Sequence, residues 1–141
     1  GITRMLDMGV EDYLLTSTIN AILGQRLVRR LNPDFRESYT ALPEVVREYQ
    51  LDRFSDDKEV KLYRPVTTPD NPSGYQGRST ILELLTMTDE VRRLVMKHAT
   101  SGEIEKMAVT QGMRTMYEDG LMKSVAGMTT IEEVLRVTQE S

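Results

Sequence analysis

The stretch Leu14-Leu15-Thr16-Ser17-Thr18-Ile19-Asn20-Ala21-Ile22-Leu23-Gly24-Gln25-Arg26-Leu27-Val28-Arg29-Arg30-Leu31 decides how the chain is first read. Its apolar residues recur at three- and four-residue spacing, which predicts one amphipathic helix. Glu11 and Asp12 stand in its first turn and Arg29 and Arg30 in its last, both favourable to a helix dipole. Asn32-Pro33 ends it. All five prolines (Pro33, Pro43, Pro65, Pro69, Pro72) follow, so the flanks on either side are free to be helical.

Composition narrows the chemistry. The chain has 141 residues, 39% hydrophobic and 28% charged, with a net charge of −4. One soluble domain or a small pair fits this length. With no cysteine, thiolate metal sites, disulfides and cysteine nucleophiles are excluded. A single histidine, His98, excludes a histidine-rich metal site. The mild acidity, with seven acidic against four basic residues in 101–141, argues against nucleic-acid binding. The apolar runs are too short to span a membrane. Gly1 in place of an initiator methionine reads as a cut from something longer.

Outward from the first stretch, Leu42 to Leu51 reads as a short helix with Pro43 in its first turn. Ser55 to Lys58 reads as a polar loop. A small two- or three-stranded sheet is expected near 60–64 and 75–82, after the turn-rich run Thr67 to Gly74. The last third reads as short helices. Thr88 or Asp89 caps the first, Thr100 with Glu103 the second, and Thr129 with Glu132 the last. Gly112 and Gly127 break the chain between them. The fold class is therefore mostly α with a small β-sheet, an α+β arrangement.

Few residues announce chemistry. Neither G-x-x-x-x-G-K-[ST] nor G-x-G-x-x-G occurs, so no phosphate-binding loop lies in these residues. Arg26, Arg29 and Arg30 cluster at the end of the first stretch, as an anion or acidic-partner site would need, or as a solvated helix face, the reading favoured for Arg29 and Arg30. His98 reads as structural at a helix end. Glu132-Glu133 fits a helix first turn through the dipole alone. Seven of nine methionines follow residue 86; they read as core filler, with partner docking the other use. Arg78 stands apart. Gly74 and Gly77 around Tyr75 suggest a close backbone approach, and an arginine fixed there reaches a phosphate or a carboxylate bidentately, or forms a surface salt bridge.

Several stretches together resemble a known family. They are Gly1 to Val10, Leu14 to Leu31, Gly74-Tyr75-Gln76-Gly77-Arg78, Gly112-Met113, Asp119-Gly120-Leu121 and Gly127 to Thr138. In this order they are similar to the C-terminal portion of the ATPases of type II secretion and type IV pilus assembly. The match runs from residue 1 to about 138 and is weakest at 36–62. The resemblance implies a hexameric, RecA-like P-loop ATPase at the cytoplasmic face of the inner membrane. It would use ATP and Mg²⁺ and work with inner-membrane secretion or pilus platform proteins, without inserting into the membrane or binding nucleic acid. The phosphate-binding loop would precede Gly1, so this chain alone would be inactive. Residues 1–31 would end the ATPase core, 32–86 form a small subdomain, and 87–141 a helical C-terminal domain. Arg4, Arg26 and Arg78 match family arginines expected near the nucleotide or a subunit interface.

One departure concerns metal. Many family members carry two C-x-x-C pairs that bind structural zinc. The matching positions here are Asn32 and Phe35, then Thr67 and Asp70, and none offers a thiolate. The expectation is a zinc-free subdomain in which Phe35, Leu62 and Val66 pack where the metal would sit. The rival reading of the whole is a non-enzymatic partner-docking or oligomerisation module that uses the methionine-rich helices.

Overall fold

The computed structural model describes residues 19–139. They form four strands, five α-helices and one 3₁₀ turn, an α+β arrangement. The decisive stretch is a strand where a helix was expected: β1 spans Ala21–Leu31. Ile22 and Gly24 alternate with exposed neighbours at the start of the strand, and Val28 and Leu31 are its buried residues. Leu23 and Leu27, counted above toward a helical apolar face, lie on the exposed side instead, 58% and 50% accessible. Gly24 within the stretch also weakens the helix by about 1 kcal/mol. The partner strand settles the matter: β1 pairs with the long strand β4, Tyr75–Thr86. In β4, Ile81, Glu83 and Leu85 alternate with exposed Leu82, Leu84 and Thr86. Leu14 to Thr18 and the expected acidic first turn lie outside the described residues.

The strands near 60–64 and 75–82 do not share a sheet. β2 (Arg36–Thr40) pairs antiparallel with β3 (Lys61–Pro65), Tyr39 opposite Leu62, while β4 belongs with β1. A strand at 36–40, unmarked by any apolar alternation in Arg36-Glu37-Ser38-Tyr39-Thr40, supplies the missing partner. Between them, α1 spans Pro43–Tyr49 with proline at its start, followed by the 3₁₀ turn Leu51–Phe54 and the polar loop at Ser55.

Among the described residues the chain divides into two compact units, each made of two separated stretches: 19–24 with 82–115, and 25–81 with 116–139. In the first unit, α2 (Asp89–Met96) and α3 (Ser101–Thr110) pack Val91, Val95 and Ile104 with Met87. Thr88 and Thr100 cap these helices by accepting the N–H of Val91 and Glu103 at 3.2 Å. His98 follows α2 with φ 57°, in the left-handed region, its N–H on the Val95 carbonyl. Gly112, φ 100°, closes α3.

In the second unit, α4 (Met116–Val125) packs against α5 (Ile131–Thr138), β3 and the 3₁₀ turn. Leu51, Leu62, Val60, Leu121 and Ile131 form one core; Val28, Ile81 and Val137 form another. Gly120 permits the helix contact, because a Cβ there would stand 2.5 Å from Val134 Cγ1. Lys123, on α4, donates to the Thr80 carbonyl (2.7 Å) and to Asp119 (2.9 Å).

The cap of α5 differs from expectation by one residue. Thr130, not Thr129, accepts the N–H of Glu133 at 3.2 Å. Thr129 instead donates to the Arg29 carbonyl at 2.8 Å, beside the Leu31 N–H to Met128 carbonyl bond at 2.9 Å. Thr129-Thr130 followed by Glu132-Glu133 offers two capping frames, and the strand contact takes the first threonine. Glu133 rather than Glu132 is thereby turned inward.

Candidate arginine cleft

The most organised polar site lies in the second unit. Leu27, Val28 and Arg29 from β1, Arg78 from β4 and Arg136 from α5 line a cleft of about 560 Å³. Under it sits Glu133, 1% exposed. Arg29 donates from Nε to Glu133 Oε1. Arg136 donates from Nε (3.0 Å) and Nη2 (2.6 Å) to Oε2. Burial pushes the Glu133 carboxyl up, but hydrogen bonds from Arg136 and Arg29, with their charges, outweigh it and hold it below its ordinary value. Arg29 also stacks over the Tyr75 ring at 4.3 Å, and the Tyr75 hydroxyl meets Thr130 Oγ1 at 3.0 Å. Cap, carboxylate, guanidinium and aromatic ring thus form one connected set.

Arg78 projects into this cleft from the strand anticipated for it. Gly74 has φ 77°, and a Cβ there would stand 2.6 Å from Pro65 Cβ, the close approach expected from the sequence. Gly77, φ 72°, precedes Arg78 directly. Among the described residues the Arg78 side chain has no hydrogen bond or ion pair. Arg26 is exposed on β1 and does not line the cleft. Arg4 lies outside the described residues. Arg136 and Glu133 are not assigned to this site from the sequence, and Arg29 stands there in the basic cluster whose favoured reading is a solvated helix face. Arg29 was read as a solvated helix residue because its stretch was read as a helix. Glu133 was assigned to the dipole because its partner Arg29 lies 104 residues away. The one available signal was the second capping frame, Thr130 with Glu133.

A second hollow takes in three of the four positions matched above to the family's cysteines, Asn32, Phe35 and Asp70. Asn32, Phe35, Val66, Asp70, Asn71 and Gln76 help line it. Both turns persist: the Phe35 N–H bonds the Asn32 carbonyl (3.1 Å), and Thr68 and Asn71 exchange backbone bonds (3.0 Å each). The Val66 N–H reaches the Phe35 carbonyl at 3.0 Å, and Asn32 Nδ2 donates to Gln76 at 2.6 Å. The expected apolar plug does not form. Phe35 is 51% exposed, and Leu62 is buried in another cluster, with Ala41 and Leu51. Backbone and amide hydrogen bonds, not apolar burial, hold the two turns. One amide, one phenyl ring, one hydroxyl and one carboxylate do not make a tetrahedral thiolate site. Among the described residues no group of three or more His, Cys, Asp or Glu side chains could hold a metal ion.

The late methionines are mostly internal: Met87 is buried, Met107, Met113, Met116, Met122 and Met128 are partly so, and Met96 is exposed. Among the described residues no helix is long and apolar enough to cross a membrane.

A family model described as "Type II/IV secretion system protein" matches residues 1–136. The chain is 60% identical over 141 residues to the type II secretion system protein E of Xanthomonas campestris pv. campestris, covering 100% of this chain and 25% of that protein. It is 41% identical over 144 residues to the type II secretion system ATPase E of Vibrio cholerae serotype O1, covering 99% and 27%. It is 36% identical over 140 residues to the type IV pilus assembly ATPase PilB of Thermus thermophilus, covering 99% and 16%. The chain thus spans about a quarter, or less, of the length of these relatives.

Proposed function

The chain belongs to the type II/IV secretion system protein family, and on that premise we propose that it is the C-terminal part of an ATPase that powers type II secretion or type IV pilus assembly. The observation that carries this reading is the unbroken match over residues 1–136, together with relatives named as secretion and pilus ATPases. The whole protein is a cytoplasmic hexamer with a RecA-like core, working at the inner face of the inner membrane with its platform proteins. ATP and Mg²⁺ are held by a phosphate-binding loop outside these 141 residues, since the motif is absent within them. Arg4, Arg26 and Arg78 act electrostatically at the nucleotide or across a subunit interface. The subdomain around Asn32 and Asp70 holds no structural zinc.

The partly buried methionines give a docking module little apolar surface, and the acidic last third gives nucleic acid little attraction. The test uses the full-length protein. It should hydrolyse ATP, and Arg78→Gln should reduce turnover while leaving expression unchanged. The 141-residue chain should not hydrolyse ATP. Turnover by that chain alone, or full-length turnover indifferent to Arg78, would refute the reading. Elemental analysis should find no stoichiometric zinc; about one zinc per chain would refute that part.

A further inference from the structure

We infer that the Arg29–Arg78–Arg136 cleft is a preorganised binding site for a phosphate group, and that Glu133 is its positioning residue. Three guanidinium groups line the cleft, and two of them hold the buried Glu133 carboxylate. Arg29 uses only Nε on Glu133, so both terminal nitrogens remain unspent, and its plane is fixed over Tyr75. Arg78 has its whole fork unspent among the described residues. Two unspent forks in one cleft match an anion with several oxygens and about two negative charges, as a phosphate group has. A single carboxylate would satisfy one fork and leave the other.

Glu133 explains why the arginines do not scatter. Like charges gathered in one cleft repel, and exposed arginine side chains are otherwise free to swing apart. A buried carboxylate, fixed at the α5 cap by Thr130 and gripping Arg29 and Arg136 from below, holds them on the cleft wall. The inference deepens the proposed role of Arg78 and rests on that reading only for where the phosphate comes from in the working protein.

The experiment titrates the 141-residue chain with pyrophosphate, with ATP and with a short polyglutamate peptide, by calorimetry and amide NMR. Pyrophosphate should bind and perturb the amides of residues 27–29 and 78. Arg78→Gln and Arg29→Gln should each weaken binding by about tenfold or more, the loss of one charge-assisted fork. Glu133→Gln discriminates by sign. It removes a negative charge, so general electrostatics predicts tighter binding. A positioning role predicts binding weakened by several-fold, partly restored in Glu133→Asp.

Similar affinity for pyrophosphate and ATP identifies phosphate itself as the ligand; tighter ATP binding with the same arginine dependence identifies nucleotide-borne phosphate. Both support the site. Tighter binding by Glu133→Gln, indifference to Arg78→Gln, no pyrophosphate binding, or equal and arginine-dependent binding of polyglutamate would each overturn it. Amide spectra of the Arg78→Gln chain, altered on an exposed strand position, verify that the fold is intact. If pyrophosphate binds as described but full-length turnover ignores Arg78, the proposed function fails and the site stands. The reverse pair of results sinks the site alone.

Discussion

The two units bury different kinds of residue. The unit holding α2 and α3 has an apolar interior of Met87, Val91, Val95, Ile104 and Ala108. The other buries Asp119, Ser124, Thr129, Thr130 and Glu133 as well as its apolar core. All five come from α4, α5 and the turn between them. Each has a partner: Lys123 for Asp119, the Gly120 carbonyl for Ser124, the Arg29 carbonyl for Thr129, Tyr75 for Thr130, and two arginines for Glu133. No described buried side-chain nitrogen or oxygen lacks a hydrogen bond. Area removed from water holds an apolar core without specifying direction, whereas a buried polar network admits few arrangements. The unit with the network is the one that carries the arginine cleft.

The comparison is most strongly tested by deleting core volume in each unit. Ile104→Ala and Leu121→Ala should each cost about 2–5 kcal/mol, read from urea unfolding and from amide exchange confined to the unit concerned. Equal exchange loss in both units after either change would erase the distinction. Gly120→Ala should cost about 1–3 kcal/mol by overpacking against Val134; a neutral result would mean that α4 and α5 yield where the packing says they cannot.

Glu133→Gln should cost about 1–2 kcal/mol, the lower part of the range for charged hydrogen bonds, because Arg29 and Arg136 are half exposed and re-solvate. Its pH dependence has a definite sign. The Glu133 carboxyl is held below its ordinary value in the folded chain, so its contribution is present above the unfolded carboxylate range. It disappears as pH falls below about 4.3 and through the folded value. Stability of the native chain should therefore fall more steeply in acid than that of Glu133→Gln; parallel curves would contradict the network. Exposed Glu90 in the other unit is also held low, by its backbone N–H and by Gln111, and should contribute the same slope to both proteins. The smallest effect belongs to the caps. Thr88→Ala and Thr100→Ala should each cost about 1 kcal/mol, seen as faster exchange in the first turns of α2 and α3.

What the sequence disclosed follows the same division. Thr88, Thr100 and Gly112 are local signals, and the helices they bound stand where they were expected. Pro43 likewise marked α1. Arg78 was legible because Gly74 and Gly77 carry their backbone demands in the residue type itself. The errors concern distant partners. Ala21–Leu31 carries apolar residues at helical spacing and shows no strand alternation, and only pairing with Tyr75–Thr86 makes it a strand. Arg36–Thr40 shows no alternation and becomes a strand because Lys61–Pro65 lies beside it. Phe35 was expected in a core and faces solvent, since the hydrogen-bonded turns leave it no apolar neighbourhood to fill. Glu133 looks like any acidic residue in a first helical turn until Arg29 arrives from the far end of the chain.

The bond from Thr129 to the Arg29 carbonyl joins residues 100 apart in sequence. On a ribosome, β1 emerges long before the turn that fastens it. The pairing of β1 with β4 and the helices α2 and α3 are already synthesised while Val28 and Ile81 still lack Val137. The arginine cleft is complete only once α5 has been made, since Glu133 and Arg136 both lie on it. Its completion reports that synthesis has passed α5, so a truncated product carries the arginines of β1 and β4 without the carboxylate that sets them.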